Sequence, residues 1–299
     1  MIYFFLFFAV FFAAYFLFHP ALALSHVSGA MDIPNERKIH SKPMARAGGF
    51  AIFVAFSAIS IIVPIDLNLK IPLVLGCAFI FLIGFLDDVI DVSPFVKLTG
   101  QFLAIAVYFF LSELLNFNYT VIQGISSAIW ILFIVNATNL IDGLDGLACG
   151  ICASQSLCLT IIALAFGNKD VSVCSSLLLG GILGFFPRNF PRAKIFMGDC
   201  GALFLGFALA VLSSRLVAES DNILCLLSVF LIFRVPIYDT NFSIVRRLIN
   251  RKNPFLADKG HFHHQLLRRG FSKECTALAL ITVALFFGLI GILLSILML

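Results

Sequence analysis

The stretch Ile71-Pro-Leu-Val-Leu-Gly-Cys-Ala-Phe-Ile-Phe-Leu-Ile-Gly-Phe-Leu-Asp-Asp-Val-Ile-Asp91 decides the fold class. Residues 71–86 carry no charge, and three carboxylates follow at Asp87, Asp88 and Asp91. Such a run is a buried core segment or most of a membrane span, because a span needs about 20 apolar residues. The rest of the chain settles which. Of 299 residues, 61% are hydrophobic and 12% charged, and mean hydropathy is +1.06. Soluble domains run at roughly 45–50% apolar and about 25% charged. That difference excludes a soluble globular domain, a disordered chain and a small disulfide scaffold. It leaves room for about ten spans with short loops and for no large soluble domain.

Hydropathy gives ten apolar segments, at about 2–24, 47–65, 71–86, 98–115, 124–141, 147–166, 173–187, 200–218, 223–240 and 276–298. The expected fold is all-α, a single polytopic membrane domain over 1–299. Segments 71–86 and 173–187 are short for a span and are expected to run on into the drawn loops. Segment 2–24 has no basic residue before its apolar run, so it reads as a retained helix and not a cleaved signal. Eight cysteines are scattered; Cys149-Gly-Ile-Cys152 has redox spacing but lies in an apolar run, where cysteine serves as a small buried residue.

The cations divide unequally. Sixteen of the 20 Lys and Arg fall in the loops after segments 1, 3, 5, 7 and 9. The positive-inside rule puts those loops in the cytoplasm and both termini in the periplasm. The cytoplasmic loops are then 25–46, 87–97, 142–146, 188–199 and 241–275, and the outer connections are short. A multi-pass membrane protein with its working face in the cytoplasm is expected.

Six carboxylates lie hard against apolar segments on that face: Asp87, Asp88, Asp91, Asp142, Asp145 and Asp199. An ionised carboxylate in a span costs about 2.5–3.5 kcal/mol on the insertion scale, so such a set needs a cation, basic side chains or water. In the first cluster Asp87 and Asp91 would share a helix face, with Asp88 turned away; the plain alternative is a solvated helix end. The second, Asn136-Ala-Thr-Asn-Leu-Ile-Asp-Gly-Leu-Asp-Gly146, stacks Asn139, Asp142 and Asp145 if the helix persists, with glycines that let backbone approach a ligand. An Asx-Gly turn explains it equally simply. The third, Phe196-Met-Gly-Asp-Cys-Gly201, holds Asp199, an N-cap or a metal ligand. The fourth, Asp258-Lys-Gly-His-Phe-His-His-Gln-Leu-Leu-Arg-Arg-Gly270, groups His261, His263 and His264 with Arg268 and Arg269. Zinc is disfavoured there, and phosphate oxygens suit imidazole and guanidinium together. The alternative is a basic segment drawn to anionic lipid. Carboxylates for Mg²⁺ and a basic loop for phosphates, set among apolar helices, point to a diphosphate-bearing substrate and a lipid substrate.

These stretches, together with Pro34-Asn-Glu-Arg-Lys-Ile-His-Ser-Lys-Pro-Met-Ala-Arg-Ala-Gly-Gly49, occur in an order that resembles the polyprenyl-phosphate N-acetylhexosamine-1-phosphate transferases. These are bacterial glycosyltransferase family 4 enzymes, related to the phospho-N-acetylmuramoyl-pentapeptide transferase. The split His-Phe-His-His form resembles the N-acetylhexosamine branch. The resemblance implies that undecaprenyl phosphate attacks the β-phosphate of a UDP-N-acetylhexosamine, releasing UMP and starting a cell-surface glycan such as O-antigen. GlcNAc is the default sugar, and a 6-deoxy sugar such as FucNAc or QuiNAc is the alternative. It further implies that Asp199 binds Mg²⁺, with Mn²⁺ as the alternative ion, and that Asp87 and Asp88 form a catalytic pair. His261, His263 and His264 would face the diphosphate and sugar. Lys97 would contact phosphate, and Asn139, Asp142 and Asp145 the nucleotide and metal. Arg37, His40, Lys42 and Arg46 would face the lipid phosphate or diphosphate. No nucleic-acid partner is implied; a homodimer is compatible with the sequence.

Three rivals fit less well. A transporter places its site near the midplane, often between repeated halves, and no repeat is visible here. A CDP-alcohol phosphatidyltransferase needs an arginine after Asp145-Gly146 that this chain lacks. An intramembrane aspartyl protease built on Asp239 and Asp199 would have its motifs in reversed order. Asp239 is expected instead to pair with Arg234 or Arg246.

Overall fold

The structure is a computed structural model that describes residues 2–33, 43–251 and 260–297. Arg37, His40 and Lys42, and the Asp258-Lys259 pair, lie outside the described residues. The chain runs through α1 (Ile2–Phe16), α2 (Phe18–Ser28), β1 (Met31–Asp32), β2 (Met44–Ala45), α3 (Gly49–Ile62), α4 (Leu67–Ile90) and α5 (Pro94–Leu114). It continues through α6 (Val121–Ile141), α7 (Leu147–Ala165), α8 (Lys169–Asn189), α9 (Gly198–Ser220), α10 (Ile223–Ile232), α11 (Arg234–Ile249), α12 (Phe262–Arg268) and α13 (Lys273–Ile296). The strands form one short antiparallel ladder, Met31 opposite Ala45 and Asp32 opposite Met44. The fold is otherwise all-α.

Among the described residues seven helices are long and apolar enough to cross a membrane, and two bent pairs, each taken as one span, raise the number to nine. Each of the ten apolar segments falls on one of these or on α3. With 14 residues α3 measures about 21 Å at 1.5 Å per residue, short of a hydrocarbon core of about 30 Å. The two segments that looked short do run on: α4 has 24 residues and α8 has 21. Helical hydrogen bonding continues through Lys70, Asp87 and Asp88, where a hydropathy window stops. The loop drawn at 87–97 therefore shrinks to a turn between α4 and α5, and that at 241–275 contains the end of α11 and all of α12.

Both bent pairs break three residues ahead of a proline. α1 and α2 meet at 42° around Leu17, before Pro20; α10 and α11 meet at 71° around Phe233, before Pro236. Proline has no N–H for the carbonyl four residues back, and its ring collides with that carbonyl. Segment 223–240, read as straight, is thus broken.

α9 is the axis of the bundle. Every residue from Cys200 to Leu216 is buried, enclosed by α4 and α6 with α3, α7, α8 and α10 around them. Small residues such as Ala202, Ala208, Ala210, Ser213 and Ser214 keep it slim, so neighbouring helices can close around it on every side. Its two ends carry the polar chemistry. At the Ser220 end Arg215 bonds Glu219 and donates to Asn68 Oδ1 at 2.9 Å. At the other end lies Asp199.

α11 is the most two-sided helix. Tyr238, Phe242, Val245 and Ile249 form an exposed apolar stripe. Asp239, Thr240 and Ser243, one position on, are buried against the protein.

Candidate active site

The first turn of α9 is built around Gly198, whose φ of +74° suits glycine, and around Asp88. Asp88 lies in the last turn of α4. Its Oδ1 accepts from the Asp199 N–H and its Oδ2 from the Cys200 N–H, each at 2.9 Å. These N–H groups have no intrahelical acceptor, so Asp88 caps α9 from another helix. Arg46, just past β2, places its Nε 3.2 Å from Asp88 Oδ1 and its Nη2 3.6 Å from Asp199. Burial works to lower the Arg46 pKa, but Asp88, Asp199, Asp32 and Asp91 outweigh it and hold the guanidinium above its ordinary value.

Lys97 comes from the first turn of α5. Ser93 caps that helix, accepting from the Val96 N–H, and Pro94 occupies its first position. The turn between α4 and α5 swings the ammonium back over the site. Lys97 Nζ is 2.6 Å from Asp87 and also bonds Asp199. Asn139, in the last turn of α6, donates to the same Asp199 oxygen at 3.4 Å. Residues 46, 87, 88, 97, 139 and 199, from five separate elements, thus meet at one end of the bundle.

Asp91 stays at the solvent edge of this group, reaching it through Arg46, whose Nη1 lies 3.8 Å from Asp91 Oδ1. α4 ends at Ile90, and Asp91 turns left-handed at φ +48°, so its side chain points into solvent while Asp87 and Asp88 are buried. The shared helix face expected for Asp87 and Asp91 needed one more residue of helix.

The Asn139–Asp145 stretch is likewise no continuous helix. α6 ends at Ile141, and residues 142–146 turn into α7. Asp145 accepts from the Ala193 N–H at 3.0 Å. Asn189 ties the turn down: its Oδ1 accepts from the Gly146 N–H and its Nδ2 donates to the Ile195 carbonyl, both at 3.0 Å. Asp142 is pushed up to about 8, first by burial and then by the charges of Asp199 and Asp88.

A cavity of about 400 Å³ opens between these parts, lined among others by Arg46, Asp142, Asp145, Phe196, Asp199 and His264. The histidine loop closes one side of it. The buried His263 ring lies against Gly143, where an added Cβ would sit 2.6 Å from Nε2. Burial, then His264, pushes the His263 pKa down to about 3, so the ring is neutral at physiological pH. Its Nε2 has no hydrogen-bond partner among the described residues. His261 faces the other way, with its Nδ1 2.7 Å from Asp239 Oδ2.

Sequence reasoning missed Asn189 and gave Asp239 other partners. Asp239 is not spent as expected on Arg234 or Arg246. One oxygen takes His261 and the other accepts from the Phe262 N–H at 2.7 Å. A carboxylate inside an apolar segment was the available signal. Asn189, at the end of α8, gave none.

The six converging residues and the cavity beside them define a polar, substrate-sized site at one end of a membrane-type helical bundle. The chain belongs to glycosyl transferase family 4, whose family model matches residues 71–217. A probable undecaprenyl-phosphate N-acetylglucosaminyl 1-phosphate transferase of Bacillus subtilis is 34% identical over 89% of this chain and 78% of its own length. The undecaprenyl-phosphate alpha-N-acetylglucosaminyl 1-phosphate transferase of Thermotoga maritima is 36% identical over 88% and 81%. The Escherichia coli K12 protein of that name is 27% identical over 86% and 74%. The family expected from the motifs is therefore shown, and the relatives support the general reaction.

Proposed function

We propose that this protein transfers N-acetylhexosamine 1-phosphate, with GlcNAc as the default sugar, from a UDP-sugar to undecaprenyl phosphate. The observation that carries the reading is the convergence of Asp87, Asp199, Lys97 and Arg46 beside the cavity walled by the 142–145 turn and His264. A lipid phosphate oxygen forms a bond to the β-phosphorus, and the bond from that phosphorus to the bridging oxygen breaks to release UMP. A phosphate monoester has its second pKa near 6, so the nucleophile needs little deprotonation at neutral pH. Positioning and charge neutralisation then carry the rate. Lys97 and Arg46 are the cations on hand for phosphate oxygens. Asp87 faces the reacting groups, and Asp88 contributes by holding the first turn of α9. Asn139, Asp142 and Asp145 serve the nucleotide side, and His263 and His264 the diphosphate and sugar.

A Mg²⁺ ion fits this donor set. Oxygens of Asp87 and Asp199 converge on one cation, Lys97, and no all-protein cage of three ligands exists among the described residues. Mg²⁺ commonly takes one or two carboxylates, waters and substrate phosphates. Asp199, with Asp87 beside it, would hold the ion, which would neutralise diphosphate charge. The test is UMP release by the purified protein with undecaprenyl phosphate and a panel of UDP-sugars, with and without EDTA. No release with any UDP-N-acetylhexosamine would overturn the reading.

Two further expectations follow. Gly143→Ala should displace His263 and raise the KM for the UDP-sugar about tenfold, equivalent to roughly 1.4 kcal/mol. Unchanged kinetics would remove the histidine loop from the site. The proposed topology has ten spans, both termini outside and the site in the cytoplasm of a bacterial inner membrane. Cys275 is the exposed cysteine among the eight. An impermeant thiol reagent should label it in inside-out vesicles and not in intact cells; the opposite pattern would invert the topology.

A further inference from the structure

Among the described residues, Asp239 is the buried carboxylate farthest from any role given above, and all its bonds go to the histidine loop. Its Oδ2 is 2.7 Å from His261 Nδ1 and its Oδ1 accepts from the Phe262 N–H at 2.7 Å. Neighbours on α11 reinforce the grip. Ser243 Oγ lies 3.2 Å from the same Nδ1, and Arg246 donates to the Gly260 carbonyl at 2.6 Å. The Phe262 ring stacks on Tyr238 at 5.6 Å and on Phe242 at 5.4 Å. Positions 239, 243 and 246 form one face of α11, so the helix carries a stripe devoted to the loop that ends in His263 and His264.

A carboxylate can only accept, so the hydrogen between Asp239 and His261 sits on Nδ1. That leaves Nε2 as the ring nitrogen without the hydrogen. The His261 ring lies parallel to that of His263, with centroids 5.8 Å apart, and His263 in turn abuts Gly143 in the cavity wall. Orientation therefore passes from α11 through His261 to the cavity.

We propose that Asp239 is a positioning residue for the transfer reaction, locking His261 as the Nδ1–H form and fixing the loop that presents His263 and His264 to the UDP-sugar. This rests on the reaction proposed above. It goes beyond it in assigning the tautomer, and with it the half of the reaction that depends on α11.

The decisive variant is Asp239→Asn. Asparagine is nearly isosteric and can still accept from the Phe262 N–H. It then turns its amide N–H toward His261 Nδ1 and drives the ring hydrogen to Nε2. The expected result is a kcat/KM for the UDP-sugar about 100-fold lower, with KM for undecaprenyl phosphate unchanged. A merely structural defect would degrade both substrates together. Histidine-selective nitrogen NMR, with His261 assigned by its loss in His261→Gln, should show Nδ1–H in the wild type and Nε2–H in Asp239→Asn. Wild-type kinetics in Asp239→Asn, or equal losses for both substrates, would overturn the proposal. So would a wild-type spectrum with a bare Nδ1, which needs no variant to fold. If the wild type released no UMP, the reaction reading would fail, and the two tautomers would still decide the role of Asp239.

Discussion

Asp199→Asn is expected to abolish turnover, by about 10³-fold or more, in a protein that remains folded. The substitution keeps size and shape. It also keeps the backbone N–H groups of residues 199 and 200 on Asp88, so the first turn of α9 survives. What it removes is the charge that Lys97, Arg46 and Asn139 converge on. Lys97 would keep its contact with Asp87, and the remaining carboxylates would repel one another less. Loss of the charge paired with Lys97 and Arg46 costs some stability, and relief of repulsion with Asp87, Asp88 and Asp142 offsets part of it, so a lowered melting temperature with the fold retained is expected. The pairing of measurements carries the result: UMP release and a melting curve in the same detergent. Wild-type turnover in Asp199→Asn would eliminate the proposed metal and charge role. Lost turnover with a collapsed melting curve would make Asp199 structural.

Gly198→Ala should do the reverse and cost stability, about 2–4 kcal/mol, with activity falling alongside. Two separate penalties act. A φ of +74° is unfavourable for any residue with a Cβ. The added methyl would also overlap the Arg46 carbonyl oxygen and lie 2.6 Å from Asp88 Oδ2. The first is a backbone group held by the Ala45–Phe196 hydrogen bond next door and cannot retreat freely. The second is the oxygen that caps Cys200. The turn, the cap and the arginine would all have to shift. A melting temperature within error of the wild type would show that the turn is more pliable than its contacts imply.

Much of this was legible in the sequence because the membrane imposes a simple rule. A segment with no charge over many residues must be helical where lipid surrounds it, so the apolar segments were located correctly. Charged residues at their edges could then be grouped, and Asp87, Lys97, Asn139 and Asp199 do meet. What the sequence could not show was where a helix stops within a cluster. Asp91 moved to the solvent edge of the site, within reach of Arg46, because α4 ended one residue earlier, and the Asn139–Asp145 stack failed because α6 ended at Ile141. Helix ends depend on capping partners from elsewhere in the chain, such as Asp88 for α9. Asp239 was noticed but assigned to arginine partners, since charge suggests an ion pair before it suggests a tautomer. Cys149 and Cys152 proved to be buried free thiols in α7, as their apolar surroundings indicated.

The bend before Pro236 has an effect on the enzyme's surroundings. It turns α11 through 71° from α10, with Tyr238, Phe242, Val245 and Ile249 exposed on one side and Asp239 and Ser243 buried on the other. A single helix thus presents an apolar stripe outward and grips the histidine loop on its other side. Were that stripe set in lipid, a change in its solvation, through acyl-chain length, fluidity or the choice of detergent, would act on the helix that holds His261. In the proposed reaction the bilayer would then be a mechanical part of the enzyme, and rates measured in different lipids would report on two quantities together: the supply of the acceptor and the set of the loop.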